Sequence, residues 1–326
     1  MLIAEHLSKT YETSDWNGFL RRKKTRVEAV KDVSLSMHQG QIIGLLGING
    51  AGKTTTIKML STLLLPTTGR ITIDGLDGVK DAMEVKKKIN MIAGGERMIY
   101  WRLTARENLW YYGQLYGIDN KLLEARIQKL LSMVGLSEKQ DIPVERFSKG
   151  MKQRLQIARG LINDPSYIFM DEPTLGLDAS IAKELREHVK DLACKEGKSI
   201  LLTTHYIQEV EELCEYVYVM NKGTVIQQGT PKELALMGME NKILYLELYE
   251  NHELFHTSLT EACVSLEADC SILWDDKNKA YTITSNRDLS SAVTRVLFEQ
   301  QIAFKNFYHQ EPSLEDAIIK LSRRSN

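Results

Sequence analysis

One glycine-rich segment of the chain has the spacing of a phosphate-binding loop. Gly47-Ile-Asn-Gly50-Ala-Gly52-Lys53-Thr54 fits the pattern GxxxxGK[ST]. It follows the apolar run QIIGLLG at 41–47 and precedes TTIKMLSTLL, which has helical spacing. Because glycines permit a tight turn and a helix N-terminus presents free amide groups, this context predicts a cradle for phosphate oxygens. Lys53 would neutralise the β- and γ-phosphates of a nucleotide, and the Thr54 hydroxyl would be a ligand of Mg²⁺.

A pair of carboxylates follows a second apolar run. Tyr167-Ile-Phe-Met170 ends in Asp171 and Glu172, and Pro173 stops the strand. Strand ends in α/β sheets face the ligand, so Asp171 is expected to hold Mg²⁺ through its water shell. Glu172 is expected to orient or deprotonate an attacking water. Alone, such a pair is more often the start of a polar loop, but next to a phosphate loop it predicts a site of nucleoside triphosphate hydrolysis.

The elements that must position these residues alternate along the first 230 or so residues, which is the pattern of an α/β fold built on a mainly parallel sheet. SILLTT at 199–204 predicts a third buried strand, and Lys121–Leu136 predicts a helix with one apolar face. From about Asn241 the character changes to that of a small α+β domain. Its predicted strands are ILYLELY at 243–249 and AYTITS at 280–285, and its predicted helix is DLSSAVTRVLFEQQ at 288–301.

Composition and charge exclude several classes of protein. The 326 residues carry 42 Lys plus Arg and 43 Asp plus Glu, which argues against a disordered chain and against a nucleic-acid partner gripped by bulk positive charge. No apolar run approaches the roughly 18 residues that a membrane span needs, and no signal peptide is evident, so a cytoplasmic location is expected. Cys194, Cys214, Cys263 and Cys270 lack CxxC spacing, so we expect reduced thiols and no metal beyond Mg²⁺.

Further motifs appear around the second strand in a fixed order. Phe147-Ser148-Lys149-Gly150-Met151-Lys152-Gln153-Arg154 precedes it, Leu175-Gly176-Leu177-Asp178 follows it, and His205 comes directly after SILLTT. Together with the phosphate loop, they resemble the signature segment, the D-loop and the switch histidine of the ATP-binding subunits of ATP-binding cassette (ABC) transporters. Read singly, Ser148 would be a helix cap, Asp178 a surface turn and His205 a polar strand end.

The resemblance implies a P-loop NTPase of ABC type, an α/β fold with a mixed sheet core. Its ATPase domain would span 1–235, with a helical subdomain at roughly 96–160, and the α+β domain would span 241–326. Glu172 and His205 would be catalytic, and Thr54 and Asp171 would hold the metal. The implied nucleotide-binding residues are Tyr11, Gly47, Asn49, Gly50, Ala51, Gly52, Lys53, Thr54, Thr55, Ser148, Gly150 and Asp178.

The chain departs from the family pattern at one position. Members usually carry a Gln that touches Mg²⁺ and the attacking water, but the alignment places Gly94, Gly95 and Glu96 there. Three interpretations stay open: Glu96 replaces part of that role, water does, or turnover is slowed. Tyr100 and Trp101 would either lie in the groove that receives the membrane partner or pack inside the helical subdomain.

The function implied by the resemblance is that of a cytoplasmic ATPase using ATP and Mg²⁺, peripheral on the inner face of the cell membrane. It would form a head-to-tail homodimer and power a separate membrane permease. EPSLEDAIIKL at 311–321 resembles the ending of exporter cassettes, which favours export. The alternatives are a soluble ABC-type ATPase acting on ribosomes or DNA, and a regulatory cassette with weak hydrolysis. The basic run Arg21–Arg26 is expected to be a loop, either solvated or close to anionic lipid.

Overall fold

The structure is a computed structural model that describes residues 1–16, 22–93, 99–237, 242–251, 253–266, 268–310 and 313–324. The chain divides into two compact units. Residues Met1–Pro231 make up most of the first unit, and Lys232–Leu321 form the second. No helix within the described ranges combines the length and the apolar character needed to cross a membrane.

The first unit contains two sheets. Its strands are β1 (Leu2–Trp16), β2 (Arg22–Met37), β3 (Ile42–Leu46), β4 (Thr68–Ile73), β5 (Leu76–Asp77), β6 (Ile89–Ala93), β7 (Tyr167–Asp171), β8 (Ser199–Thr203), β9 (Tyr216–Asn221) and β10 (Thr224–Gly229). One sheet is antiparallel, in the order β2-β1-β4-β5, and the other has the order β10-β9-β3-β8-β7-β6. In the second sheet only the β9–β10 pair is antiparallel. The α/β fold with a mixed sheet core, predicted from the resemblance, is therefore confirmed.

Seven α-helices belong to the described part of the first unit. They are α1 (Lys53–Leu60), α2 (Ala82–Lys88), α3 (Ala105–Leu115), α4 (Asn120–Met133), α5 (Lys149–Gly160), α6 (Ala179–Cys194) and α7 (Ile207–Leu213). Thr104 and Glu107 form a reciprocal capping box that starts α3. The helix predicted over 121–136 is α4, which ends three residues earlier because Gly135 adopts a left-handed backbone with φ +64°.

The parallel strands determine where the site lies. β3 and β8 are buried along their whole length, which explains their continuous apolar runs. Asp171 pairs with Thr203 across β7 and β8, and Thr203 pairs with Leu45 across β8 and β3. The carboxyl ends of the three strands therefore meet at one edge of the sheet, and the core beneath them includes residues from both sheets and α1.

The basic run differs from its expected structure as a loop. Arg22–Arg26 belong to β2, and their backbone pairs with Glu12–Trp16 of β1. The Arg26 guanidinium donates to Glu12 Oε1 at 2.9 Å. An antiparallel ladder satisfies the backbone N–H and C=O groups that a loop would leave to water, so a charged composition does not prevent a strand here. Residues 17–21 lie outside the described ranges.

The second unit is an antiparallel α+β structure. Its elements are α8 (Pro231–Met237), β11 (Lys242–Leu248), α9 (Glu253–Ser265), β12 (Cys270–Asp275), β13 (Ala280–Ser285), α10 (Ser290–Glu299), β14 (Phe304–His309) and α11 (Leu314–Arg324). The strand order is β12-β13-β11-β14. Leu244, Leu246 and Leu248 alternate along β11 toward a core shared with α9 and α10, as period-2 patterning requires.

Candidate functional site

The loop between β3 and α1 is shaped by its glycines. Gly47, Gly50 and Gly52 have φ angles of +153°, +83° and +102°. A Cβ atom on Gly47 would lie 2.3 Å from the Met220 carbonyl oxygen, and one on Gly52 would lie 2.5 Å from the Ala29 carbonyl oxygen. Both positions therefore exclude any side chain. Of the other loop residues expected to contact nucleotide, Asn49 is exposed and Ala51 is buried.

Lys53, the first residue of α1, lies folded against this loop. Its side chain donates from Nζ to the Gly47 carbonyl at 2.7 Å and to the Ile48 carbonyl at 3.3 Å. Only 7% of Lys53 is exposed. Burial lowers the pKa of Lys53, and the nearby carboxylates of Glu172 and Asp171 oppose that effect. The loop thus encloses a cation beside the free amide groups of a helix N-terminus, an arrangement that suits an anionic ligand.

Asp171 lies at the end of β7 between two threonine hydroxyls. Thr203 Oγ1 donates to Asp171 Oδ1 at 2.7 Å, and Thr54 Oγ1 donates to the same oxygen at 3.3 Å. The oxygens of Thr54 and Asp171 therefore converge at one point, and oxygen is the donor that Mg²⁺ prefers. The sequence analysis missed Thr203. Its only signal was its place as the first of the two threonines that end the neighbouring strand candidate at 199–204.

Glu172 is held in an unusual backbone conformation beside His205. Its φ is +50°, and its amide donates to the carbonyl and the hydroxyl of Thr203 at 3.0 and 3.2 Å. His205 Nδ1 lies 3.5 Å from Glu172 Oε1. A left-handed backbone at a non-glycine residue costs about 1 kcal/mol or more, and such strain concentrates at functional positions. The structure thus brings Lys53, Thr54, Asp171, Glu172 and His205 to the same edge.

Ser148 and Gly150 lie at the start of α5. Ser148 Oγ accepts a hydrogen bond from the Met151 amide at 3.2 Å, which makes it the N-cap of the helix. A Cβ atom on Gly150 would lie 2.5 Å from Ile181 Cδ1, so α5 packs closely on α6. Gln153 donates to the Pro173 carbonyl at 2.7 Å. In the described parts of the chain, no hydrogen bond joins Ser148 or Gly150 to the phosphate loop.

Asp178 and Tyr11 occupy the flanks of the site. Asp178 is the N-cap residue of α6, but its side chain makes no capping hydrogen bond. The hydroxyl of Tyr11 lies 3.5 Å from Thr55 Oγ1, in the first turn of α1. Tyr11 is partly exposed. The structure therefore places Tyr11 beside Thr55 at the start of α1.

The region after β6 is described only in part. Gly94, Gly95 and Glu96, which occupy the place of the family glutamine, lie outside the described residues. Tyr100 and Trp101 are each 47% exposed. Tyr100 packs edge-on against Tyr111 with ring centroids 4.9 Å apart, and Trp101 lies under the ammonium of Lys152. Both aromatic side chains are thus packed on one side and open on the other.

Comparisons with known proteins identify related chains. A family model described as "ABC transporter" matches residues 30–175. The chain is 45% identical to the ABC transporter ATP-binding protein NatA of Bacillus subtilis (strain 168), over 65% of this chain and 86% of that protein. It is 33% identical to the linearmycin resistance ATP-binding protein LnrL of the same strain, over all of this chain and 99% of LnrL. A solved ATP-binding subunit of an ABC transporter is similar over 72% of this chain and 92% of its own, with a TM-score of 0.61 and 28% identity.

Proposed function

The chain belongs to the family of ABC transporter ATP-binding proteins, and on this basis we propose that it is the ATP-hydrolysing subunit of an exporter. It would bind ATP with Mg²⁺ and drive a separate permease from the inner face of the cell membrane. LnrL, which is similar over the whole chain, is named for resistance to linearmycin, and this supports export. The alternative of a cassette acting on ribosomes or DNA is not favoured, because these relatives are named as transporter or resistance proteins.

The observation that carries the proposal is the meeting of a phosphate loop and an acidic strand end. Thr54 Oγ1 and Asp171 Oδ1 are 3.3 Å apart, and these two residues would hold Mg²⁺. Bound there, the metal supplies positive charge beside the phosphate oxygens. Lys53 now donates to two loop carbonyls, and its ammonium would turn to the β- and γ-phosphates when ATP fills the cradle.

In hydrolysis, Glu172 would accept a proton and His205 would stabilise the γ-phosphate. The Glu172 carboxylate accepts a proton from the attacking water, whose oxygen bonds to the γ-phosphorus while the bond to the ADP oxygen breaks. The His205 imidazole, 3.5 Å from Glu172, donates a hydrogen bond to the γ-phosphate. The loop amides and Lys53 neutralise the charge on the phosphate oxygens.

A second copy would complete each site. Ser148 and Gly150 make no described hydrogen bond to the phosphate loop of their own chain, yet Ser148 caps a helix whose N-terminal amides suit an anion. We propose a head-to-tail homodimer in which these residues and Asp178 approach the ATP of the partner. The two compact units would then be an ATPase domain and an accessory domain.

Two substitutions test hydrolysis and binding separately. In Glu172→Gln we expect phosphate release to fall by about 10²- to 10⁴-fold while ATP affinity is retained, because only the base is removed. In Lys53→Ala we expect loss of ATP binding. Calorimetric titration with MgATP and a steady-state phosphate assay measure both quantities, with Glu187→Gln on the exposed side of α6 as control. Unchanged turnover in Glu172→Gln would show that another group is the base.

A further inference from the structure

Three tyrosines, Tyr100, Tyr111 and Tyr112, form a packed and partly exposed cluster. Trp101 follows Tyr100 in the chain, and we call these four residues together the aromatic surface. The Tyr111 and Tyr112 rings meet edge-on at 5.4 Å and 83°, and Tyr100 meets Tyr111 at 4.9 Å and 75°. The Tyr100 hydroxyl donates to the Tyr111 hydroxyl at 3.4 Å. These are favourable aromatic geometries, so displacement of one ring disturbs the others.

Lys152 makes the first of two contacts between helix α5 and the aromatic surface. This residue lies in the first turns of α5, and its Nζ is 4.2 Å from the centroid of the Trp101 ring. Lys152 is only 9% exposed. Trp is the best aromatic partner for a cation, and exclusion of water strengthens the attraction. The position of Trp101 is therefore tied to the position of α5.

The second contact is made by Arg159 near the other end of α5. Its guanidinium carbon lies 5.3 Å from the Tyr112 ring centroid, and its Nη2 donates to the Met91 carbonyl in β6 at 2.5 Å. Arg159 is 3% exposed, and burial lowers its pKa. Its Nε finds no hydrogen-bond acceptor, and no carboxylate pairs with it, among the residues that the structure describes.

Burial of Arg159 is unfavourable for the free energy of folding. A buried cation without a carboxylate partner destabilises a fold, and an apolar side chain of similar volume would pack against Tyr112 without that penalty. Arg159 nevertheless joins three elements: α5, the strand β6 and, through Tyr112, helix α3. We therefore attribute the buried cation to its role in connecting α5 with β6 and α3.

We propose that Lys152 and Arg159 are positioning residues that transmit nucleotide-dependent movement of α5 to the aromatic surface. This inference rests on the proposed function, in which Ser148 and Gly150 at the start of α5 approach ATP of the partner. A helix of this length is a stiff rod of about 18 Å. When ATP draws in its N-terminus, the two cations carry Trp101 and Tyr112 with it. Residues that lie between two sites do not necessarily couple them. The experiment therefore measures the coupling itself.

Trp101 itself reports the movement. In a parent protein with Trp16→Phe, Trp110→Phe, Trp274→Phe and Glu172→Gln, Trp101 is the remaining tryptophan. We expect MgATP to shift its fluorescence emission. Lys152→Met should abolish the shift while ATP affinity, measured by calorimetric titration, stays within about threefold. Lys152→Arg keeps a cation over the ring and should keep the shift.

Arg159 is tested in the same parent protein. Arg159→Gln should reduce the shift of Trp101 emission at least about twofold, and Arg159→Lys should restore most of it, because the cation over Tyr112 returns. Circular dichroism checks folding. The matched controls are Lys129→Met, which removes an exposed lysine of α4, and Arg126→Gln, which removes a guanidinium that donates to the Ile162 carbonyl at 2.9 Å. Both should leave the shift unchanged.

The outcomes separate this inference from the proposed function. If the parent protein fails to bind ATP, the proposed function is wrong. If ATP binds but Trp101 emission does not change, or changes as much in Lys152→Met and Arg159→Gln as in the parent protein, the two cations do not transmit movement and this inference is overturned. Loss of the shift in either control variant would also overturn it, since any change in the helical region would then suffice.

Discussion

The phosphate loop illustrates how strictly single backbone positions limit residue choice. At Gly47 the nearest atom to an added Cβ is a backbone carbonyl of β9, 2.3 Å away. Backbone cannot move aside as a flexible side chain can, so the strand β9 would have to shift. Gly40 offers a comparison, because it also has a positive φ, +75°, but a Cβ there meets nothing within 4 Å.

We therefore expect Gly47→Ala to be far more damaging than Gly40→Ala. Gly40→Ala carries only the backbone penalty of about 1–2 kcal/mol. Gly47→Ala adds overpacking, which costs about 1–3 kcal/mol more, and it displaces the amides proposed to bind phosphate. Urea unfolding measures the difference in stability, and titration with MgATP measures affinity. Equal stability of the two variants would mean that the loop and β9 can separate freely.

For single residues, the sequence predicts well those features that depend on residues nearby in the chain. Spacing alone identified Lys53, Thr54, Asp171 and Glu172, because each follows a recognisable strand or loop. It did not identify Thr203, whose bond to Asp171 requires the register of β7 on β8. The resemblance assigns Ser148 to nucleotide binding, and the structure shows it as a helix cap, the role that Ser148 read singly predicts.

Helix α5 and strand β6 approach each other at a point where only glycine fits. A Cβ atom on Gly160 would lie 2.3 Å from Cγ1 and 2.8 Å from Cδ1 of Ile92. Ile92 is fully buried in β6, so its side chain has little room to turn away. The close approach brings the end of α5 against the strand that accepts the Arg159 hydrogen bond.

A double-mutant cycle tests this contact. Gly160→Ala should destabilise the first unit by about 1–3 kcal/mol through overpacking. Ile92→Ala should cost about 2–5 kcal/mol through the cavity it leaves. In the double variant the added methyl group occupies part of that cavity, so the total should be less than the sum by at least about 0.5 kcal/mol. Strict additivity, measured by urea unfolding, would contradict the packing described here.

Elements with strong periodicity were predicted from the sequence to within a few residues. The apolar runs at 41–47, 167–170 and 199–204 are β3, β7 and β8, and the run at 280–285 is β13. The pairing of β1 with β2 was not predicted, because the charged composition of 21–26 is typical of a loop. Its ladder is fixed by pairing between chain segments, which composition does not encode.

The whole chain has two cores that share no described cluster of buried residues. One lies in the first unit between its two sheets, and the other lies in the second unit beneath β11, α9 and α10. The nucleotide site described above belongs wholly to the first. A ligand stabilises the structure to which it binds, so nucleotide should act unequally on the two units.

Differential scanning calorimetry should therefore resolve two unfolding transitions. MgATP at about 100 times its dissociation constant adds about 2.7 kcal/mol to the site that binds it, so only one transition should rise. Leu246→Ala, which removes a fully buried side chain of β11, should lower the other. Leu273→Ala on the same sheet is the control, because Leu273 is exposed. A single transition that responds to both changes would show one cooperative unit.

At Glu172, the left-handed backbone makes the requirements of stability and of the proposed activity conflict. A glycine there would adopt φ +50° without strain, and Thr203 would still accept its amide hydrogen bonds. The same change would delete the carboxylate proposed to activate water. Selection of thermostable variants should therefore leave position 172 unchanged, because a substitution that relaxes the backbone there would also remove the proposed base.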